Sequence, residues 1–208
     1  MIRDATNMKT VYIFVNGIKT FPGQSKNWNG RAVTATHARF GGKSCVVAEK
    51  VEYYTTALTR SLLQKHRAEK LVKVCSFYRD WNRVLVGHSN GADVILDALH
   101  MDHTIRVSRL HLISPAVDWD CHKNGLNGFY RDGQITYPPS IWVAGKDKAL
   151  RLGGSFFGKL LGYGALGLKG PKPGTLLAQA GYCEPNFGHS DWFNDENFNK
   201  TMERIWTS

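Results

Sequence analysis

Several features that would assign the chain to a special class are missing. The 208 residues contain no apolar run of about 18 residues, the length that a membrane-spanning helix needs. Residues 1–7 lack the apolar core of a secretory signal, so we expect a cytoplasmic protein. The four cysteines form no CxxC pair, which argues against a zinc site, and we expect reduced, mostly buried thiols.

Acidic residues are few relative to basic ones, which leaves a net charge of +10. This balance has two interpretations, namely solubility or attraction to an anionic surface such as phospholipid, nucleic acid or cell-wall polymer. Basic residues concentrate between Arg60 and Arg83, where a solvated helix face is preferred to a binding patch. No basic-aromatic motif indicates nucleic acid as a partner.

Alternating strand and helix patterns run through the chain. Its length and its 42% of hydrophobic residues suit one α/β domain with a substantial core and exclude two full domains. The apolar patterns predict strands at 9–15, 45–48, 83–86, 107–113 and 141–144, and helices at 53–77, 91–100 and 194–206. The alternation predicts a three-layer α/β/α sandwich with a mostly parallel sheet, built by a single domain over residues 1–208.

The most informative motif directly follows the predicted strand 83–86, where Gly87 to Gly91 read Gly-His-Ser-Asn-Gly. A serine on a tight strand-to-helix turn stands clear of the backbone, and the glycines remove side chains that would clash there. The following helix would direct its N-terminal N–H groups at the serine. The alternative is a glycine-rich turn with an incidental serine, but the strand before and the helix after favour Ser89 as a catalytic nucleophile.

A serine hydroxyl needs a base to take its proton at neutral pH. His189 suits this role because it lies in a polar loop between the last apolar segment and the terminal helix. Of the other histidines, His88 should point away from the Ser89 hydroxyl, and His111 lies inside a strand. The remaining five precede Ser89 or the preferred acid; they are His37, His66, His100, His103 and His122. The alternative for His189 is a surface loop histidine.

The base in turn needs a carboxylate to orient it. Asp147 follows the strand 141–144, and a carboxylate just past a strand can reach a histidine on the next loop. Asp118 follows the preceding strand and is the alternative acid, with Asp120 a weaker one. Loop position and chain order favour Asp147. Each aspartate has the alternative of capping a turn.

Acyl transfer also needs donors for the negative charge that develops on the carbonyl oxygen. The amide of Asn90 is one candidate, and the amide of Gly17 or Ile18, in the loop after the first strand, is the other. The Asn16 side chain either donates a hydrogen bond or shapes that loop. The alternative is an ordinary Asn-Gly turn.

Together, the strand 10–15 with Asn16-Gly17, the Ser89 motif, Gly145-Lys146-Asp147 and Gly188-His189 resemble the α/β-hydrolase superfamily, specifically its small serine esterases and lipases. The resemblance implies hydrolysis of a lipid-like or small carboxylic ester through an acyl-enzyme, with no metal or organic cofactor. It assigns the nucleophile to Ser89, the base to His189, the acid to Asp147, and the oxyanion donors to Asn90 and Gly17 or Ile18. A thioesterase, peptidase or amidase with the same triad, or a non-catalytic binding relative, is the alternative.

The chain departs from that superfamily in three respects. It has Asn16-Gly17 where many lipases and esterases have His-Gly. It lacks the antiparallel strand pair that usually precedes the first parallel strand. The stretch between Ile113 and Ile141 is too short for a full cap domain. A compact, minimal version of the fold is therefore expected. Residues 151–175 are rich in glycine and apolar residues, and they suit either a mobile lid or a structural insertion, of which the insertion is preferred.

Overall fold

A six-stranded parallel sheet forms the centre of the protein. The computed structural model describes residues 9–17, 28–41, 45–52, 60–153, 164–175 and 181–208. The strands are β1 Thr10–Val15, β2 Val46–Val51, β3 Asn82–His88, β4 Arg109–Ile113, β5 Ser140–Ala144 and β6 Tyr182–Glu184. The helices are α1 Trp28–Arg39, α2 Arg60–Phe77, α3 Gly91–Met101, α4 Leu126–Arg131, α5 Lys148–Gly153, α6 Leu166–Lys169 and α7 Phe198–Thr207, with a 3₁₀ turn at Asp191–Phe193.

Helices cover both faces of this sheet, whose order is β2-β1-β3-β4-β5-β6. Because side chains alternate along a strand, Val11 and Ile13 belong to the core shared with α2, α3 and α4, while Tyr12 and Phe14 belong to the core shared with α1 and α7. Every strand pair in the described residues is parallel. The predicted three-layer α/β/α sandwich is therefore confirmed.

The strand order reverses direction between β1 and β3. From β1 the chain runs outward to β2 at the sheet edge, and it returns to β3 on the other side of β1. Helices α1 and α3, which follow β1 and β3, pack on opposite faces of the sheet. Such a divergence creates a crevice at the carboxyl ends of the two strands, where α/β sheets commonly bind ligands. Gly17 and Ser89 lie at this point.

Helix α1 and strand β6 were not predicted from the sequence. Helix α1 buries the polar residues Asn29 and Thr36 beside Ala32, so its buried face has no apolar repeat of 3.6 residues. Strand β6 has only three residues, and Cys183 at its centre is exposed. Both elements lack the hydrophobic pattern on which sequence-based assignment depends.

Two predicted helices differ from the structure at their starts. The helix predicted over 53–77 is described from Arg60 onward, and residues 53–59 lie outside the described part of the chain. The terminal helix begins at Phe198 rather than at residue 194, because the 3₁₀ turn at Asp191–Phe193 comes before it. Within the described residues, no helix is long and apolar enough to span a membrane.

Two basic residues between Arg60 and Arg83 are buried, although a solvated helix face was preferred for this stretch. Arg67 is 2% and Arg83 is 6% exposed. The Arg83 guanidinium donates to the carbonyls of Cys75 and Arg79 at 3.2 and 3.3 Å. Carbonyls at the end of a helix lack partners inside it, so Arg83 serves to cap α2.

Candidate active site

Ser89 lies at a strained turn between β3 and α3. Its φ is +55°, in a region that residues other than glycine rarely adopt. Its amide donates to the Ile113 carbonyl at 3.0 Å, and its carbonyl accepts from the amides of Ala92 and Ala116, each at 3.2 Å. A conformation of this kind costs about 1–3 kcal/mol and persists where the surrounding structure imposes it, typically at functional sites.

Gly91 allows the start of α3 to contact the end of β1. A Cβ at Gly91 would overlap the Val15 carbonyl oxygen and would lie 2.8 Å from that of Asn16. No side chain fits at those distances, so the second glycine of the motif is required by close backbone approach. This contact fixes the loop after β1 beside the serine turn.

Gly17 lies directly against the Ser89 side chain. A Cβ at Gly17 would lie 2.8 Å from Ser89 Cβ and 3.3 Å from Ser89 Oγ. Asn90, the other predicted oxyanion donor, is fully buried at the start of α3. The backbone segments that carry these two predicted donors therefore flank Ser89, whereas Ile18, the alternative donor, lies outside the described residues.

Asp147 and His189 form a hydrogen-bonded pair. His189 Nδ1 donates to Asp147 Oδ2 at 2.6 Å, and the Leu150 amide donates to Asp147 Oδ1 at 2.8 Å. The Asp147 side chain is fully buried, and that of His189 is 21% exposed. Because Nδ1 holds the proton that the carboxylate accepts, Nε2 is the ring nitrogen left to accept a proton.

The two alternative acids lie elsewhere. Asp118 Oδ1 accepts from the Asp120 amide at 2.9 Å, as in a turn cap. Asp120 Oδ2 accepts from Lys172 Nζ at 2.9 Å, and this hydrogen bond holds the pKa of Asp120 below its usual value. Neither aspartate contacts His189 within the described residues. No group of three or more histidine, cysteine, aspartate or glutamate side chains there could hold a metal ion.

His88 contacts the loop of the candidate base, an arrangement that the sequence did not reveal. It is 7% exposed, and its Nε2 donates to the His189 carbonyl at 2.9 Å. Burial, together with the nearby His189, lowers the pKa of His88 to about 3, so its ring is neutral. Strand alternation is the signal that points to this contact, since Val84 and Val86 place His88 on the sheet face that packs against α7.

The His189 ring lies beside the serine turn, with its centroid 4.9 Å from that of His88. In the described part of the chain, no hydrogen bond joins the Ser89 hydroxyl to this ring. Catalytic hydrogen bonds in unliganded enzymes are often long and shorten when substrate binds. The structure thus brings Ser89, Asp147 and His189 to one end of the sheet, on the loops that follow β3, β5 and β6.

Part of the segment 151–175 packs onto the loop after β4, whose Ala116 amide donates to the Ser89 carbonyl. The Gly164 amide donates to the Ala116 carbonyl at 3.1 Å, and the Leu166 amide donates to that of Val117 at 3.2 Å. Leu166 is fully buried, so this end of the segment covers the core. Residues 154–163 and 176–180 lie outside the described residues.

Comparison with solved structures identifies the fold. The chain is similar to a protein of Agrobacterium vitis S4 assigned to the hydrolases, with a TM-score of 0.58 and 14% identity over 95% of this chain and 87% of that one. A protein of Xanthomonas campestris pv. campestris, assigned to the alpha/beta superfamily of hydrolases, has a TM-score of 0.54 and 15% identity, and the match covers 95% of this chain and 99% of that one. A cutinase-like protein from Cryptococcus sp. has a TM-score of 0.50 and 12% identity, and the match covers 97% of this chain and 95% of that one.

These likenesses show that the chain has the α/β-hydrolase fold, as the sequence motifs predicted. No protein-family model and no curated protein sequence matches it. At such low identity the likeness concerns the fold alone, and function has to be argued from the site.

Proposed function

We propose that the protein is a serine hydrolase that cleaves a carboxylic ester, either lipid-like or small, through an acyl-enzyme on Ser89. The observation that carries the proposal is the 2.6 Å hydrogen bond between the buried Asp147 carboxylate and His189 Nδ1, beside a serine in a strained turn. The solved structures of the same fold that are assigned to the hydrolases add support for hydrolysis.

In the first half of the reaction, Ser89 Oγ attacks the ester carbonyl carbon while His189 Nε2 takes its proton. The carbonyl π bond opens, and the oxygen becomes an oxyanion. When the tetrahedral intermediate collapses, the bond to the alkoxy oxygen breaks, and His189 transfers its proton to that oxygen. The alcohol leaves, and the acyl group stays on Ser89. A water molecule then repeats the sequence, releases the acid and restores the serine.

Asp147 stabilises the cation that forms on His189 during each half of the reaction. Its carboxylate lies fully buried, so the charge interaction is weakly screened by solvent. The oxyanion is assigned to the backbone amides of Asn90 and Gly17, the residues that flank Ser89. Fixed amide donors of this kind contribute about 3–4 kcal/mol each to stabilising the transition state.

A fluorophosphonate probe tests the nucleophile, because it phosphonylates only activated serines. We expect stoichiometric labelling of Ser89, located by peptide mass spectrometry, and no labelling of Ser89→Ala. Ser114→Ala is the matched control, since Ser114 also has a positive φ (+42°), yet its buried Oγ accepts from the Trp192 indole. This control should still label at Ser89. Labelling that survives Ser89→Ala would rule out the proposed nucleophile.

A substrate panel tests the leaving group. Chromogenic acyl esters of increasing chain length are compared with the matching thioesters and anilides, with and without vesicles of anionic phospholipid. Highest kcat/KM on esters supports the proposal, whereas preference for thioesters or anilides would replace it with a thioesterase or an amidase. Faster turnover of long-chain esters with anionic vesicles would support attraction of this positively charged protein to an anionic interface.

A further inference from the structure

We propose that His88 is a positioning residue, which holds the loop of the base His189 in register with the nucleophile through a side-chain hydrogen bond. The inference rests on the proposed serine hydrolase function. It adds a role for the residue before Ser89, which the catalytic steps themselves do not use.

The bond joins two parts of the chain that carry different catalytic groups. His88 is the last residue of β3, and the backbone turns from it directly into Ser89. Its Nε2 donates to the carbonyl of His189 at 2.9 Å, across a sequence separation of 101 residues. The acceptor is the main chain of the base itself, so this bond sets where the His189 Cα lies relative to the serine.

Aromatic neighbours hold the His88 ring in the orientation that this bond requires. Phe193 and Trp28 contact it edge to face, with centroids at 5.3 and 5.9 Å, and they stack on each other at 4.1 Å. Such contacts leave the ring little room to rotate. The donor is thus fixed in two ways, by packing around the His88 ring and by the position of β3 in the sheet.

The neutral state of His88 suits this role. Burial keeps its pKa far below neutral, so Nε2 carries the only ring proton and donates it to the carbonyl. His189 becomes positively charged in each half of the reaction. With His88 neutral, its ring adds no like charge beside that cation, although the two ring centroids are only 4.9 Å apart.

His111 shows what a purely structural histidine looks like on the same face of this sheet. It lies on the adjacent strand β4, is 1% exposed, and has a pKa lowered to about 3 by burial. Its Nε2 lies 3.4 Å from the Ser208 hydroxyl, which is a long contact, and Ser208 has no proposed part in catalysis. It therefore supplies a matched control for the loss of a buried imidazole.

The test compares three variants by kcat, KM and the fluorophosphonate labelling rate on the full chain. His88→Phe keeps a ring but removes the donor, and we expect kcat and labelling rate to fall about 10- to 100-fold with KM unchanged, as for a misplaced catalytic group. His88→Gln restores an N–H donor near the Nε2 position and should recover most of the rate. His111→Phe should keep the wild-type kcat.

Wild-type rates in His88→Phe, or an equal loss of kcat in His88→Phe and His111→Phe, would overturn the positioning role. Should His88→Phe fail to fold, histidine-ring ¹H–¹⁵N spectra of the wild type decide. A neutral Nε2–H tautomer for His88 with a slowly exchanging proton supports the bond, and an Nδ1–H tautomer or a cation refutes it.

Labelling of wild-type Ser89 separates the two proposals. If Ser89 does not label, the serine hydrolase function fails; if it labels but the His88 variants match the wild type, only the positioning role fails.

Discussion

Asp147 and His189 are 42 positions apart, yet their side chains form a hydrogen bond of 2.6 Å. The strands before them, β5 and β6, are parallel neighbours, with Ala144 paired to Glu184. Beyond the strand ends, the Lys146 amide donates to the Phe187 carbonyl at 2.9 Å. Backbone hydrogen bonds of the sheet therefore continue into both loops and set the separation of the acid and the base.

Asp147→Asn tests whether this bond matters for catalysis. Asparagine is nearly the same size, but its amide no longer attracts the Nδ1 proton as a carboxylate does, and it does not stabilise a positive charge on His189. We expect kcat on an ester substrate to fall by a factor on the order of 10⁴, as when a triad acid is replaced by its amide. Initial rates together with circular dichroism separate this loss from misfolding.

Asp118→Asn is the matched control for that substitution. Among the described residues, the Asp118 carboxylate accepts only from the Asp120 amide, and an asparagine oxygen can do the same. We expect kcat close to that of the wild type. A larger loss in Asp118→Asn than in Asp147→Asn would reassign the acid to the loop after β4.

Gly17→Ala tests the contact between the loop after β1 and the nucleophile. The added methyl would lie 2.8 Å from Ser89 Cβ, so either the loop or the serine has to shift. We expect kcat to fall about 10- to 100-fold, because displacement of a catalytic group by about 1 Å has that effect. Full activity in Gly17→Ala would mean that the loop can withdraw without disturbing the oxyanion donors.

Gly128→Ala is the control for adding a methyl group to a glycine. Gly128 lies inside helix α4, and a Cβ there would meet no atom within 4 Å. The variant should keep its kcat and gain about 0.5–1 kcal/mol in free energy of unfolding, because alanine favours the helix. Urea denaturation of both variants measures the difference.

The sheet could be predicted because its strands carry strong local patterns. The apolar runs of β1, β3 and β5 come directly before the residues proposed for catalysis, so their order in the chain also predicted which loops converge. Ser89 was identifiable from its flanking glycines, a strand before it and a helix after it. Its strained φ of +55° agrees with the expected strand-to-helix turn, while its catalytic role stays a prediction.

What the sequence concealed depends on contacts between distant residues. Loop position and chain order favoured Asp147 over Asp118, but the contact of Asp147 with His189 depends on the pairing of β5 with β6, and β6 is too short to be recognised from its own pattern. The hydrogen bond from His88 to His189 spans 101 residues; strand alternation places His88 on the right face of the sheet but does not identify its partner. Helix α1 was missed because Asn29 and Thr36 occupy buried positions where a hydrophobic pattern would have apolar residues.

The four free thiols should react in the order of their exposure. Cys183 is exposed and Cys45 partly buried, whereas Cys75 and Cys121 are buried, so the expectation of mostly buried thiols is met by only two. Burial raises the pKa of Cys75 to about 12, which removes almost all thiolate at neutral pH. We expect a maleimide to modify Cys183 within minutes and Cys75 only in denaturant, as followed by mass spectrometry. The fast phase should disappear in Cys183→Ser; equal rates at Cys75 and Cys183 would contradict the burial of Cys75.

The two buried histidines should make stability depend on pH. Burial lowers the pKa of His88 and of His111 from 6.5 to about 3. Between these values the unfolded chain binds a proton at each histidine and the folded chain does not, so the free energy of unfolding decreases as pH falls. Below about pH 6, each histidine should lower the free energy of unfolding by about 1 kcal/mol for each unit by which the pH falls.

His111→Phe isolates one of these contributions, because it removes a titrating imidazole and retains a buried ring beside Trp142, whose centroid is 6.1 Å away. Urea unfolding of the wild type and the variant at pH 7 and at pH 5 gives the comparison. Between pH 7 and pH 5, the free energy of unfolding should fall by about 2 kcal/mol less in the variant than in the wild type, because phenylalanine binds no proton in the unfolded chain. Equal losses in the two proteins would mean that His111 takes up its proton in the folded state, and that the interior around β4 admits a charge.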